Sequence, residues 1–303
     1  MTRHTASRPF RFGVVAAQAR SAEEWTTKAR RIESMGYSTV LMPDGLRYTL
    51  SPLPALAAAA AVTRSLRIGT YVLANDFRNP VLLAKEAATL DLVSGGRFEL
   101  GLGAGRPASA EDNRMLGLAF DQGGERVARL AESLALIGPV LAGQAATATG
   151  PHYAATGAEI SPGPVQRPRP PILVAGSGRR LLSLAAREAD IVALGVAPTE
   201  SEAGAAERIG WLREAAAERF DRLELNLNLM AVGDQVPRWI AMQMGLTAVG
   251  LAEAGAVSAV VGTVDQMSET LLRRRERLGI SYVVVSDELM DAFAPVVERL
   301  AER

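Results

Sequence analysis

The chain has 303 residues, which is enough for two ordinary domains or for one large α/β barrel. Its formal net charge of +0 gives no indication of binding to nucleic acid or to a membrane surface, and the absence of cysteine excludes disulfides, thiolate chemistry and cysteine-ligated metals. With only two histidines, His4 and His152, neither a histidine metal site nor a Ser–His–Asp triad is favoured. The first ten residues lack the apolar run of a signal peptide and no stretch of about 18 apolar residues indicates a membrane span, so we expect a cytoplasmic protein.

Short apolar segments alternate with segments of helical periodicity in the first part of the chain. Ser21, with Glu24 in the same turn, forms a predicted capping box at the start of the first helix. Asn79-Pro80 is the predicted start of the third helix, because proline at the first helical position loses no hydrogen bond. Strands are predicted at residues 10–17, 39–42, 67–73 and 97–105, with helices at 21–35, 53–64 and 80–93.

The second part of the chain returns to this alternation after a long irregular segment. Residues 107–122 have weak periodicity and are predicted to be a loop, whereas 124–141 have the pattern of a long amphipathic helix. Residues 142–171 are rich in Gly, Pro and Thr, which predicts an insertion of loops and short strands. Further strands are predicted at 172–175, 190–194, 223–232 and 281–285, with helices at 179–188, 200–220, 239–254, 264–278 and after Asp287.

Eight short apolar strands that alternate with helices predict the fold class. Strands of this kind are buried on both faces, as in a parallel sheet covered by helices. The count and the length match an α/β protein with a (β/α)8 TIM-like barrel and loop insertions, which we expect to be a single domain over 1–303 with an insertion at about 142–171. The competing doubly wound sheet would require a glycine fingerprint after the first strand, and residues 14–18 have none.

A Gly-Ser-Gly sequence at 176–178 is the strongest local indication of a ligand. It ends a strand and opens a helix, so unpaired backbone N–H groups and the helix dipole together favour an anion, and Arg179 and Arg180 add positive charge. Late strands of barrels hold phosphates at this place. The alternative interpretation is a tight turn in which glycine simply fits.

The glycines at 101, 103 and 105 leave the carboxyl end of the fourth strand without side chains. No regular helix follows, so the sequence does not match a dinucleotide fingerprint, and we interpret the strand end as clearance for a flat ligand. Close packing of a helix is the alternative. Asp44 follows the second strand, where barrel loops carry function, but capping of a turn is an equal interpretation.

Polar residues also collect on the loops after the third and fourth strands. For most of them, solvation of the surface is the simpler interpretation. Tyr48, on the loop after the second strand, is a candidate lid residue. The polar loop residues are Asn75, Asp76, Arg78, Arg106, Glu111 and Asp112.

Several longer motifs together resemble one known family. They are LDLVSGGRFELGLGAG, FDQGGERVARLAESL, PVQRPRPPILVAGSGRRLLSLAAREADIVAL and VVGTVDQM, and the resemblance extends over roughly residues 10–285. The chain resembles the bacterial luciferase-like flavin oxidoreductases and, among them, the branch that uses the deazaflavin coenzyme F420. The resemblance implies a TIM-like barrel with the cofactor at the carboxyl ends of the strands.

The resemblance also implies which residues form the site. A non-prolyl cis peptide behind the cofactor ring is expected within residues 69–72, at Tyr71–Val72, and Gly103 to Arg106 are expected beside the ring. The candidate catalytic residues are Asp44, Tyr71 and Arg106. The candidate cofactor-binding residues are Thr70, Tyr71, Val72, Gly103, Ala104, Gly105, Ala175, Gly176, Ser177, Gly178, Gly195 and Val196.

Two departures from the family pattern bear on the reaction. Relatives often carry a catalytic His after the second strand, where this chain has Gly45, and a Trp or Glu where it has Arg106. We therefore expect an F420-dependent reductase that delivers a hydride to a C=C or C=N bond of a small metabolite, with the proton from solvent or a carboxyl group. An FMN-dependent monooxygenase and a non-catalytic flavin-binding protein are the alternatives. The resemblance also implies a possible homodimer through the Ala-rich helix from Leu53.

Overall fold

A computed structural model describes residues 8–47 and 50–301, so that His4 and Tyr48 lie outside the described residues. The described chain divides into two compact units, which we call the central unit and the terminal unit. The central unit comprises residues 17–29, 42–47 and 50–176, and the terminal unit comprises residues 8–16, 30–41 and 177–301.

Strands and helices alternate along the chain, as predicted. The strands are β1 (Arg11–Val15), β2 (Thr39–Met42), β3 (Arg67–Thr70), β4 (Leu73–Ala74), β5 (Phe98–Gly103), β6 (Ala146–Thr149), β7 (Ala154–Ala158), β8 (Ile172–Gly176), β9 (Ile191–Leu194), β10 (Glu224–Leu229), β11 (Ala231–Val232), β12 (Ala259–Val260) and β13 (Ile280–Ser286). The helices are α1 (Ala22–Ser34), α2 (Pro52–Val62), α3 (Pro80–Val93), α4 (Ala110–Met115), α5 (Gly123–Leu141), α6 (Arg179–Glu188), α7 (Glu202–Ala216), α8 (Arg238–Met244), α9 (Ala248–Glu253), α10 (Val264–Leu278) and α11 (Met290–Leu300).

The main sheet is parallel and closed. Its hydrogen-bonded order is β3-β2-β1-β13-β10-β9-β8-β5-β4, and an additional pairing joins β3 to β5. Because β3 and β4 are two parts of one interrupted strand, the order closes on eight strands. The fold is therefore the predicted (β/α)8 barrel.

In the terminal unit, neighbouring residues of β1 have different partners. Phe12 is buried and packs edge-on against the ring of Phe293 in α11. On the alternate positions, Arg11 pairs with Glu224 at 2.7 Å and lies over the ring of Tyr282. This ion pair satisfies the charged groups of Arg11 and Glu224 without solvent.

In the central unit, the LDLVSGGR motif forms hydrogen bonds with the 142–171 insertion and with the end of α2. Asp91 is fully buried, and its carboxylate accepts hydrogen bonds from the backbone N–H groups of Val165 and Gln166. Arg97 donates to the carbonyl oxygens of Ala60 and Leu66, close to the end of α2. The motif is explained by these structural hydrogen bonds, which hold the helices around β5.

Four sequence predictions change in detail. The strand predicted at 67–73 is interrupted after Thr70, and the strand predicted at 223–232 is split into β10 and β11. The helix predicted at 239–254 is divided into α8 and α9, because Gly245 adopts a left-handed φ of 65° that ends α8. The loop predicted at 107–122 contains the short helix α4. The insertion at 142–171 contains the antiparallel hairpin β6–β7, in agreement with its prediction as loops and short strands.

Candidate active site

The third strand of the barrel is interrupted by a non-prolyl cis peptide between Tyr71 and Val72, at the position that the family resemblance predicts. Before the interruption, the buried Thr70 hydroxyl donates to the Gly101 carbonyl oxygen at 2.9 Å and accepts the Gly101 N–H at 2.8 Å. After it, Ala74 is in register with Gly103. The Thr70 side chain is therefore engaged by β5, and Thr70 is 1% exposed.

The glycines of β5 make room for the bulge itself. A Cβ atom on Gly101 would lie 1.9 Å from the Thr70 carbonyl oxygen, and one on Gly103 would lie 2.7 Å from Val72 Cγ2. Neither position has space for a side chain. For Gly101 and Gly103, the interpretation as direct clearance for a ligand is therefore wrong, because the backbone and a side chain of the third strand occupy that space. The packing element is a strand and not the helix of the alternative.

Asp44 is engaged by four hydrogen bonds at the end of the second strand. Arg78 donates to both carboxylate oxygens, at 2.5 and 3.3 Å. The backbone N–H groups of Gly45 and Ala74 donate to the same carboxylate, each at 3.1 Å. A carboxylate so fully engaged and almost entirely buried is suited to positioning the exit of the third strand, and the geometry gives no support to Asp44 as a proton donor.

Tyr71 lies at the cis peptide and is half-buried, and its backbone N–H donates to the Met42 carbonyl oxygen at 2.7 Å. Burial raises the pKa of the Tyr71 phenol well above its usual value. The hydroxyl therefore stays protonated across the physiological range and acts as a hydrogen-bond donor more readily than as an acid that gives up its proton.

The segment after β5 is shaped by Arg126 of α5. Its guanidinium donates to the carbonyl oxygen of Ala104 at 2.9 Å and to that of Gly105 at 3.5 Å, and it lies over the ring of Phe120. Arg106, which follows Gly105, is exposed, and its side chain makes no hydrogen bond or ion pair with residues 8–47 or 50–301. Arg106 is thus an available cation at the end of β5.

Two polar residues that follow β4 form hydrogen bonds with other elements, so surface solvation, the simpler interpretation for most of the loop residues, does not apply to them. Asn75 Nδ2 donates to the Tyr153 hydroxyl oxygen at 3.2 Å. The carboxylate of Asp76 accepts from Asn113 Nδ2 at 3.2 Å and from Arg129 at 3.1 Å. Sequence reasoning did not single out Tyr153, Asn113 or Arg129, because their partners lie between 37 and 78 positions away along the chain.

The Gly-Ser-Gly sequence lies between β8 and α6, as predicted. Gly178 is the N-cap of α6, and no side chain caps the first turn of that helix. Ser177 and Gly178 are exposed, and a Cβ on Gly178 would meet no atom within 4 Å. The first-turn N–H groups are therefore available to an anion, which fits the predicted phosphate site.

The two arginines at the start of α6 differ in whether they form an ion pair. Arg179 pairs with Glu214 at 2.8 Å on the surface. The exposed Arg180 side chain has no hydrogen bond or ion pair within the described part of the chain, so Arg180 is the available cation of the two. Gly195 and Val196 directly follow β9, with Gly195 exposed and Val196 half-buried.

The described residues contain no group of side chains that could bind a metal ion, and their one histidine is His152. His152 Nε2 lies 3.1 Å from Glu125 and 3.9 Å from Glu132. Within residues 8–47 and 50–301, no group of three or more His, Asp or Glu side chains is arranged to hold a metal ion. No helix in the same residues is long and apolar enough to cross a membrane.

The family assignment follows from a sequence match that covers most of the chain. The family model for luciferase-like monooxygenases matches residues 4–233. The chain belongs to the luciferase-like monooxygenase family. The residues matched include the cis peptide, the glycines of β5 and the Gly-Ser-Gly sequence, so the candidate site lies within the part of the chain that the family shares.

Two relatives and one solved structure illustrate this membership. A relative from Beutenbergia cavernae named F420-dependent glucose-6-phosphate dehydrogenase is 36% identical over 168 residues, which cover 52% of this chain and 48% of the relative. A relative of the same name from Nakamurella multipartita is 32% identical over 246 residues, which cover 78% of this chain and 71% of the relative. The chain therefore spans about half the length of the first relative and more of the second.

The solved structure shares the fold. The coenzyme F420 dependent tetrahydromethanopterin reductase from Methanopyrus kandleri superposes with a TM-score of 0.76 at 17% identity, covering 96% of this chain and 97% of that chain. At this identity the likeness supports the barrel and carries no conclusion about the substrate.

Proposed function

We propose that the protein is an F420-dependent oxidoreductase that reduces a C=C or C=N bond of a small metabolite. Family membership and the names of the relatives support the choice of cofactor. We infer reduction, and not oxidation, from the residues that follow the second strand, Asp44 and Gly45. Where several family members have a catalytic imidazole after the second strand, this chain has a glycine beside a carboxylate that is already bound by Arg78.

The residues present fit a phosphate-bearing deazaflavin. The uncapped start of α6, with Arg180 beside it, offers backbone N–H groups and positive charge to a phosphate. In the central unit, Tyr71 and Val72 at the cis peptide and Ala104 and Gly105 after β5 form the proposed surroundings of the ring. The N–H groups and Arg180 suit the phosphate of the proposed cofactor, and the four residues of the central unit suit its flat ring.

The chain's own residues have restricted roles in the proposed reduction. The bound reduced cofactor supplies the hydride, and the chain must then orient the acceptor bond and allow a proton to reach it. The protonated Tyr71 hydroxyl is suited to polarising the acceptor by a hydrogen bond, with water as the final proton source. Arg106, which has no partner in the described residues, is suited to binding a negatively charged substrate group.

Oxidation of an alcohol makes a different demand, because a base must remove the hydroxyl proton. Of the described residues, His152 is the one histidine, and it is held beside Glu125 and Glu132. The proposed reduction needs no such base, whereas dehydrogenation of a sugar phosphate would need one.

Cofactor binding and turnover test the proposal separately. We expect F420 fluorescence to be quenched with micromolar or better affinity, and FMN to bind more weakly. We also expect the reduced cofactor to be oxidised in the presence of activated alkenes or imines, and glucose 6-phosphate not to be oxidised. Tighter binding of FMN with oxygen-dependent turnover would replace the proposal by a monooxygenase, and quenching without turnover of any substrate would favour a non-catalytic flavin-binding protein.

We further propose that two copies of the chain associate through α2. Its sequence, PLPALAAAAAV, contains no polar side chain, although Pro54, Ala58 and Ala61 are exposed. An exposed helix face without polar residues is typical of an interface. Sedimentation equilibrium should show a dimer that Ala58→Arg dissociates and that Ala206→Arg, on the exposed face of α7, leaves intact. A monomeric wild-type protein would refute this proposal.

A further inference from the structure

One buried polar atom beside the candidate ring site is not used by the protein itself. Asn75 is 3% exposed, and its Oδ1 atom has no hydrogen-bond partner in the described part of the chain. A buried amide oxygen normally finds a donor, and leaving one without a donor is unfavourable. An unused acceptor at this position therefore requires an explanation.

The position of Asn75 in the fold places it at the ligand-binding end of the sheet. Ala74 is in register with Gly103, so Asn75 and Ala104 follow the paired ends of neighbouring parallel strands. The carboxyl ends of the strands are where barrels of this kind bind their ligands. Asn75 is also separated by only two residues from Val72 of the cis peptide.

Tyr153 contacts one end of the Asn75 amide. Its Nδ2 atom donates to the Tyr153 hydroxyl oxygen at 3.2 Å, which leaves Oδ1 as the opposite, unpaired end of the amide. Tyr153 is itself held by Glu132, whose carboxylate accepts the Tyr153 N–H at 3.1 Å. Burial, followed by the nearby Asp76 carboxylate, raises the pKa of Tyr153, so its hydroxyl remains neutral.

We propose that Asn75 Oδ1 is a binding group for the deazaflavin head of the cofactor and accepts a hydrogen bond from an N–H or O–H of the bound molecule. The inference rests on the proposed function, since it takes F420 as the ligand. It assigns to Tyr153, which comes from the 142–171 insertion, the role of a positioning residue that acts through Asn75. In the free protein, Oδ1 is desolvated without compensation, and binding of the ligand supplies the missing donor.

Binding measurements on the full chain test the Asn75 assignment. Asn75→Leu should weaken F420 quenching by about tenfold or more, because the acceptor is lost. Asn75→Asp keeps an acceptor and should bind F420 more tightly than Asn75→Leu does. Tyr153→Phe should weaken binding less than Asn75→Leu, because it only loosens the amide. Equal affinity of Asn75→Leu and wild type, or weaker binding by Asn75→Asp than by Asn75→Leu, would overturn the proposal.

The stability of the protein without cofactor provides an independent measurement. The double variant Asn75→Leu/Tyr153→Phe removes both polar groups together, so its thermal midpoint should equal or exceed that of wild type. A clear fall in that midpoint would assign the pair a purely structural role and refute the inference. If wild-type protein fails to quench F420, the proposed function fails, whereas the midpoint still tests whether Asn75 Oδ1 is an unfavourable buried acceptor.

Discussion

Replacement of Arg78 by methionine tests whether the ion pair with Asp44 positions the exit of the third strand. Methionine keeps much of the length of the side chain and removes its charge and its donors. In the variant, the Asp44 carboxylate, 6% exposed, loses both hydrogen bonds from Arg78 and retains those from Gly45 and Ala74. Asp44 therefore remains a buried charge without a counter-ion.

The expected loss of stability follows from this burial. Removal of one partner of a buried ion pair costs about 3–5 kcal/mol. Arg78 is 19% exposed and two backbone donors remain on Asp44, so we expect a loss at or below the lower limit of that range, about 2–3 kcal/mol. At about 2 °C per kcal/mol for a chain of this size, the thermal midpoint should fall by about 4–6 °C.

Thermal unfolding followed by circular dichroism measures this effect, and F420 quenching measures its consequence at the site. The matched control is Arg114→Met, since Arg114 pairs with Glu111 on the surface and its loss should leave the midpoint unchanged. Adding Asp44→Asn to Arg78→Met should recover part of the stability, because an unpaired amide is less unfavourable than an unpaired carboxylate. Equal midpoints for Arg78→Met and the control, or no recovery in the double variant, would refute the positioning role.

Three further changes test other parts of the molecule. Gly103→Ala places a Cβ atom 2.7 Å from Val72 Cγ2, which is too close, so cofactor affinity should fall by about tenfold or more, and Val72→Ala should restore part of it. Ser177→Asp places a carboxylate at the uncapped start of α6 and should weaken F420 binding by about 2 kcal/mol. Glu202→Gln should destabilise the protein at pH 7, because Arg274 loses its carboxylate partner, and urea unfolding measures this loss. The difference from wild type should disappear as the pH falls, because Glu202 is then protonated in wild type as well.

The sign of the pH effect follows from the surroundings of Glu202. Burial raises the pKa of Glu202, but the hydrogen bond and charge of Arg274 and the charge of Arg273 outweigh it and leave the pKa below its usual value. A depressed pKa contributes stability above the unfolded pKa, and this contribution is lost as the pH falls through the folded value. A difference that grows toward low pH would contradict this reasoning.

Matched variants separate the two site predictions from general damage. Gly210→Ala in α7 is the control for Gly103→Ala, because a Cβ there meets no atom within 4 Å. Ser177→Ala is the control for Ser177→Asp, because it adds no charge. Unchanged F420 affinity in Gly103→Ala would place the ring elsewhere, and unchanged affinity in Ser177→Asp would move the phosphate away from α6.

The sequence predicts the barrel well because its strands are local, apolar and separated by recognisable helix signals. Asn79 accepts hydrogen bonds from the N–H groups of Val81 and Leu82, as an N-cap should. The first capping box is only half correct, since Ser21 accepts from the Glu24 N–H while Glu24 accepts from the N–H of Arg20. The two-residue strands β11 and β12 are too short to show a periodic pattern.

The candidate site is less predictable, because its residues are defined by partners far away in the chain. Nothing in the sequence around Asp44 indicates that Arg78 will donate to both carboxylate oxygens, and because of this contact we propose a positioning role for Asp44 instead of a role as an acid. The role of Gly101 and Gly103 likewise depends on the path of the third strand, which local patterns do not reveal. The cis peptide at Tyr71–Val72 is predicted by the family resemblance and by no property of those two residues.

Three consecutive residues after β4 are each held by a different part of the central unit. Ala74 donates to Asp44 on the loop after β2, Asn75 donates to Tyr153 in the insertion, and Asp76 accepts from Arg129 of α5. These loops are the places where a barrel enzyme changes its substrate, whereas the strand exit belongs to the proposed cofactor site. We expect a substitution of Asp44, Tyr153 or Arg129 to act on the proposed cofactor site through the strand exit. On the proposed function, we expect such variants to change both substrate selection and F420 binding, so each variant should be measured for both.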